Sequence, residues 1–157
     1  MRGETQAVHL AKIMQKHKLY PEYELVLPLV RIKKNSLKKL SKGNILLLGL
    51  ESLDMLLLSK EKICANVVID GVHNSTKIKI TSLEDKAILP TNSKKYETLK
   101  CSFGILQSRK LEVGHKIDIA SLNSEEILLI VEGRTIAKGA LVNVDEEIAI
   151  QIDKVMI

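Results

Sequence analysis

The amino-acid sequence predicts a mainly β protein with short helices, built from two similar units and preceded by an N-terminal helix. Three observations predict this fold: short segments with alternating apolar residues, recurrence of the same segments in the second half, and one amphipathic stretch at the start. The chain has 157 residues, of which 45% are hydrophobic and 27% charged. This composition is typical of a globular protein, and the length suffices to bury a core.

The first predicted element is an amphipathic helix over residues 5–18. Leu10, Ile13 and Met14 follow the helical spacing that places apolar side chains on one face. Pro21 is predicted to end this helix, because the residue before a proline is disfavoured in helical conformation.

Short strands follow in the first half of the chain. The pattern predicts β structure over residues 25–32, where Pro28 indicates a bend or an edge position. A helical turn is predicted at residues 36–41, with Gly43 as the glycine that ends it. Further strands are predicted at residues 44–50, 54–58, 63–69 and 76–80. Residues 84–97 are polar and contain Pro, Asn, Ser and Lys, so they are the predicted linker.

The same order of elements recurs after this linker. Gly43 corresponds to Gly114. Residues 62–83 align without a gap with residues 134–155, and the apolar positions of the two segments coincide. We therefore predict a duplication, with the segments 1–23 (helix and linker), 24–83 (first unit), 84–97 (linker) and 98–157 (second unit). One such unit is too small to be comfortably stable alone. Two copies are expected to share a core, either in tandem or as an intertwined pair, in a pseudo-twofold, barrel-like body.

The net charge of +5 raises the question of nucleic-acid binding. Aromatic residues are 3% of the chain, and a single-strand binder stacks bases on aromatic side chains. A solvated lysine-rich face is therefore the preferred interpretation. The alternative from another class is a small basic RNA-binding β-barrel that would use Lys33, Lys34, Lys38, Lys39 and Lys42.

The sequence offers no arrangement of residues typical of an enzyme, a metal site or a cofactor site. His9, His17, His73 and His115 have no partners at metal-ligand spacing, and Cys64 and Cys101 are interpreted as small core residues without a paired histidine. The glutamate pairs 125–126 and 146–147 flank predicted turns and are expected to be solvated. With two cysteines, no signal-peptide pattern and no long apolar run, we expect a soluble protein of a reducing compartment.

One motif in the second unit permits a family assignment. It has the form Val131-x-Gly133-x-x-Ile136-Ala137-x-Gly139-x-x-Val142-x-Val144-Asp145 and is followed by a strand that ends at Val155. Gly133 is placed in a hairpin turn and Gly139 at a bulge or close approach, while Gly43 and Gly114 precede strands. This motif resembles the SpoA (surface presentation of antigens) domain of the flagellar motor-switch proteins FliM and FliN and of the injectisome C-ring protein.

The resemblance covers residues 99–157 well and residues 25–83 as a divergent copy. In that copy Glu61 replaces the turn glycine, and Val67 stands at the position of Gly139. Two SpoA-like units imply an intertwined, saddle-shaped module and resemble the injectisome protein more than the flagellar ones. The implied function is a structural part of the cytoplasmic C-ring or sorting platform of a type III secretion system; the alternative is a flagellar motor switch.

The resemblance also implies the partners and the surface that binds them. Expected partners are other SpoA-domain proteins (FliN-like or a short SpoA product) and the regulator of the export ATPase, in a homo- or hetero-oligomer at the cytoplasmic face of the bacterial inner membrane. No nucleic acid or cofactor is implied. The residues placed on the binding surface are Ile136, Ala137, Ala140, Leu141, Val142 and Val144.

Overall fold

Antiparallel β-strands dominate the computed structural model, which describes residues 20–70, 76–88, 93–120, 122 and 125–156. The N-terminal helix predicted over residues 5–18 lies outside the described residues, as do His9, His17 and His73. The elements of the first half are β1 (Glu22–Val26), β2 (Val30–Lys33), α1 (Lys34–Lys38), β3 (Ile45–Leu50), β4 (Asp54–Ser59), β5 (Lys62–Asp70) and β6 (Lys77–Ala87). Those of the second half are β7 (Tyr96–Gln107), β8 (Lys116–Asp118), β9 (Ile127–Val131), β10 (Arg134–Val144) and β11 (Glu147–Val155).

The strands form one sheet in the order β3-β11-β10-β9-β7-β1-β4-β5-β6-β8, with β2 paired to β7. The mainly β prediction is therefore confirmed. Among the described residues, β3 and β8 are each paired on one side, to β11 and β6. The sheet is therefore open, and the predicted barrel closure is wrong because its end strands pair with β11 and β6 instead of with each other.

Each half of the chain contributes an end strand to the other half. β3, from the first half, pairs with β11 at the end of the second, and β8, from the second half, pairs with β6. β1 and β7 pair with each other at the centre of the sheet. These pairings bring both halves into one apolar core, whose largest fully buried side chains include Leu25, Leu57, Ile78, Leu99 and Ile150. Each such side chain contributes about 1.5–3 kcal/mol through burial.

The region from Pro28 to Gly43 departs from the predicted elements in two ways. The predicted strand over residues 25–32 is divided into β1 and β2, with Pro28 in the break, as expected for a residue that lacks a backbone donor. The predicted helical turn exists, but α1 ends at Lys38, so Gly43 does not cap it. Gly43 lies instead in the turn before β3, with a φ of 89°.

The predicted linker is partly strand. β6 continues to Ala87, because its last residues pair with β5 through Lys86–Ile63 and Ala87–Lys62. β7 begins at Tyr96, where it pairs with Lys33 of β2. Backbone pairing extends both strands into sequence that has no apolar alternation.

Two glycines of the motif have distinct backbone roles. Gly133 lies with Glu132 in the two-residue turn between β9 and β10, where both φ angles are positive (76° and 51°), as this type of hairpin turn requires. Gly139 lies at a register shift between β10 and β11. A Cβ atom there would stand 2.5 Å from the Gln151 carbonyl oxygen and 2.5 Å from Cγ2 of Ile150, so the strands approach too closely for a side chain.

Candidate protein-interaction surface

The face of the sheet directed away from the core is apolar at the β3 end. In β3, Leu46 and Leu48 are buried, whereas Ile45 and Leu47 are 50% and 53% exposed. This alternation follows from the period of a strand, whose successive side chains point to opposite faces. The exposed side of β3 therefore carries two large aliphatic side chains in water.

One row of paired residues extends this apolar character across three strands, and the row beside it contains exposed Gln151 at its centre. Residues directly opposite in an antiparallel pair share a face. Leu47 pairs with Ala149, and Ala149 pairs with Val142; Ile45 likewise connects through Gln151 to Ala140. Ala149 has no exposed surface. We call this set the outer apolar face: Ile45, Leu47, Ala140, Val142, Val144 and Ala149.

The equivalent face at the opposite end of the sheet is charged. There β6 and β8 pair through buried Ile78 and Ile117, just as β11 and β3 pair through buried Ile150 and Leu46. The flanking pairs on the face away from the core are Lys77–Asp118 and Lys79–Lys116. The same strand geometry thus tolerates charged residues, so folding alone does not require the outer apolar face. An apolar cluster in such a place is typical of a protein contact.

The residues predicted for the binding surface divide into three groups. Ala140, Val142 and Val144 are half-buried members of the outer apolar face. Leu141 pairs with buried Ile150 and packs against the core, so it lies on the other face.

Ile136 and Ala137 are buried, with 5% and 0% exposure, and placing them on a surface is a mistake. The pairing of β10 with β9 shifts register between Thr135 and Ala137, and such a bulge interrupts the alternation of side chains. Two consecutive residues therefore point into the core.

Sequence reasoning missed Ile45, Leu47 and Ala149. The run from Ile45 to Leu50 is apolar apart from Gly49, so alternation alone does not distinguish its exposed side. A usable signal exists in the alignment of the two halves, which places Ile45 and Leu47 on Lys116 and Asp118. A position that is charged in one half of the chain and apolar in the aligned position of the other half indicates a surface site that can bind another protein.

The described residues contain no cluster of three or more His, Cys, Asp or Glu side chains suited to a metal ion. Cys101 is buried, and burial raises the pKa of its thiol to about 12, so little nucleophilic thiolate forms near neutral pH. A cleft of about 750 Å³ beside Tyr20 contains Glu24, whose carboxylate accepts hydrogen bonds from Lys100 Nζ and Ser102 Oγ, both at 2.7 Å. These contacts join β1 to β7, which gives them a structural role.

The lysines proposed for RNA binding lie in β2, in α1 and in the turns that follow α1. Lys34 Nζ is 3.8 Å from the Glu97 carboxylate, and the Arg31 guanidinium lies 5.1 Å from the centre of the Tyr96 ring. Part of the basic charge of this region is thus engaged by the neighbouring strand β7.

Within the described residues, no helix is long and apolar enough to cross a membrane. No curated protein matches the chain in a sequence search. A family model, the SepQ protein C-terminal domain, matches residues 50–156, which include β4–β11 and most of the outer apolar face. The chain therefore belongs to the family of the SepQ C-terminal domain, SepQ being a type III secretion sorting-platform protein of the FliN/SpoA type.

Proposed function

We propose that this chain is a structural subunit of the type III secretion C-ring or sorting platform that assembles through SpoA–SpoA contacts and docks the regulator of the export ATPase. Membership of the SepQ C-terminal domain family supports the assignment to this machinery over the flagellar switch. The observation that carries the assembly role is the outer apolar face, because its counterpart at the other end of the same sheet is charged.

The proposed architecture is two SpoA-like units, residues 24–83 and 98–157, that exchange one strand each. Equivalent hydrogen bonds support this duplication. The Gly43 N–H donates to the Ile152 carbonyl oxygen (2.7 Å), and the Gly114 N–H donates to the Ile80 carbonyl oxygen (2.8 Å). Positive φ angles at Lys60 and Glu61, as at Glu132 and Gly133, place the same kind of turn between the corresponding strands.

The outer apolar face is the proposed contact with a SpoA partner or with the ATPase regulator. Val142 and Val144 are half-buried and lie on β10, which is paired with β11. Their side chains are therefore already restricted, and little side-chain entropy is lost on binding. Leu47 and Ile45 extend the outer apolar face to the end of the sheet. In this role the chain acts without catalysis or cofactor, at the cytoplasmic face of the bacterial inner membrane beside the membrane-embedded apparatus.

The test is binding of a purified SpoA partner from the same secretion system, measured by calorimetry. Val142→Asp places a charge in the middle of the outer apolar face, and we expect the dissociation constant to rise at least about tenfold, or about 1.4 kcal/mol. Val144→Asp is a second variant at the margin of the face, with a smaller expected loss. Lys79→Asp introduces the same side chain on the charged counterpart and serves as the matched control, with unchanged affinity expected.

Circular dichroism must first establish that each variant is folded. Equal affinity of Val142→Asp and the parent protein would refute the proposed surface. A parent protein that binds neither SpoA partners nor the regulator, but binds RNA with strong salt dependence, would replace the scaffold function with the RNA-binding alternative.

A further inference from the structure

Two segments that are distant in the sequence form one strongly basic patch. Residues 31–42 carry six basic and no acidic side chains, and residues 94–95 are both lysines. The structure brings the segments together, because β2 pairs with the start of β7 and the Lys34 N–H donates to the Lys95 carbonyl oxygen at 2.8 Å. We call this set, exposed except for half-buried Lys34, the basic patch: Arg31, Lys33, Lys34, Lys38, Lys39, Lys42, Lys94 and Lys95.

The fold does not require this concentration of positive charge. The aligned residues of the second half, 102–113, carry two basic side chains and one acidic side chain. Only two of the six basic residues in 31–42 have a basic counterpart there, and the other four align with uncharged residues. Like charges that lie close together repel one another and cost stability. Such a cluster is therefore typical of a surface that binds a partner of opposite charge.

A groove of about 260 Å³ begins in the patch and combines positive charge with an apolar floor. Lys34, Lys38 and Arg134 line it, together with Glu97 and Glu132. Lys34 pairs with Glu97, whereas neither Lys38 nor Arg134 has an ion-pair partner in the part of the chain that the structure describes. The floor of the groove consists of three buried aliphatic side chains: Leu37, Val131 and Ile136.

This surface suits an acidic protein segment better than the other polyanions. A lipid bilayer is flat, whereas the cations here surround a groove. Stacked RNA bases need aromatic rings, and Tyr96, the one ring in the two segments, has the Arg31 guanidinium 5.1 Å from its centre, so one of its faces is taken. A peptide supplies carboxylates for the cations and aliphatic side chains for the floor.

We infer that the basic patch binds an acidic segment of another protein. An aliphatic side chain of that segment occupies the groove between α1 and the β9–β10 turn, while its carboxylates pair with Lys38 and Arg134. This inference goes beyond the proposed function, because the patch contains no residue of the outer apolar face. The chain thus has two separate protein contacts of different chemistry, one apolar and one basic.

The test is binding of a short peptide of alternating glutamate and leucine to the full chain, measured by calorimetry at low and at physiological salt. We expect binding that weakens as salt screens the charges. Lys38→Glu and Arg134→Glu each reverse a charge on one side of the groove and are each expected to weaken binding about fivefold or more. Arg109→Glu is the matched control with unchanged affinity expected, because Arg109 aligns with Lys38, is also exposed and lies outside the patch.

Three results with the peptide would overturn the inference: no binding at low salt, equal binding of a peptide with glutamine in place of glutamate, or an equal loss of affinity in Arg109→Glu. Phosphatidylglycerol vesicles and single-stranded RNA are measured in parallel. Binding of either one in the absence of peptide binding would assign the patch to a membrane or to nucleic acid instead.

The variants are expected to unfold near the midpoint of the parent, because Lys38 and Arg134 are exposed. Binding of the SpoA partner is measured on the same variants and should equal that of the parent. If the peptide does not bind the parent and the SpoA partner does, the basic patch is refuted and the proposed function stands. If the peptide binds and the SpoA partner does not, the reverse holds.

Discussion

Replacement of Gly139 by alanine tests the close approach of β10 and β11, which underlies the outer apolar face. The new Cβ would lie 2.5 Å from both the Gln151 carbonyl oxygen and Ile150 Cγ2, whereas ordinary contact begins at 3.4 Å. The strands must therefore separate locally by about 0.9 Å. Overpacking of this kind costs about 1–3 kcal/mol, and reduced unfolded-state entropy offsets about 0.4–1 kcal/mol of it. Because one of the two atoms belongs to a backbone held in the sheet, we expect a net loss near the upper end, about 2 kcal/mol.

The assay is thermal and urea unfolding followed by far-ultraviolet circular dichroism, since the chain has no tryptophan. A loss of about 2 kcal/mol corresponds to a fall of about 4–8 °C in Tm for a chain of this size. Gly133→Ala is the comparison, because a Cβ there meets nothing within 4 Å and its cost is confined to the left-handed backbone, about 1 kcal/mol. The reasoning is refuted if Gly139→Ala is as stable as the parent, or costs no more than Gly133→Ala.

Three further predictions concern the core and the centre of the sheet. Iodoacetamide at pH 8 should modify half-buried Cys64 in the native protein. Buried Cys101, whose pKa is raised to about 12, should react only after unfolding. Mass spectrometry of the two cysteine peptides measures the labelling, and equal labelling of both would contradict this prediction. Because Cys101 keeps its proton in the folded state while the unfolded thiol loses it, stability should also fall from about pH 9 upward. Glu24→Ala removes the acceptor of Lys100 and Ser102 and should cost about 1.5–3 kcal/mol in urea unfolding, whereas a midpoint equal to the parent's would show that this contact between β1 and β7 contributes nothing.

The sequence predicts strands well where one face is buried. Residues 77–80 alternate between apolar and polar, as a half-buried strand does, and the structure has a strand there. The short apolar runs of β4 and β9 also predict strands that the structure contains. The sequence does not predict strand residues that are held only by backbone pairing. The last residues of β6 are an example, because their side chains are exposed. The sequence also fails to distinguish an open sheet from a barrel, since that depends on which strands meet at the ends.

The candidate surface is only half predictable for a related reason. Val142 and Ala140 are half-buried members of the outer apolar face, whereas a bulge after Thr135 turns Ile136 inward. Leu47 joins the face only because β3 pairs with β11 from the far end of the chain. Neither the bulge after Thr135 nor the pairing of β3 with β11 has a local sequence signal.

The central claim is that this chain works as a sorting-platform subunit through its outer apolar face. The most direct measurement is type III secretion by the source bacterium after deletion of the gene and complementation with the parent, Val142→Asp or Lys79→Asp chain. We expect deletion to abolish secretion of the exported proteins, and the parent and Lys79→Asp chains to restore it. Val142→Asp should accumulate to the same level as the parent and fail to restore secretion. Normal secretion in the deletion strain, or full rescue by Val142→Asp, would contradict the account.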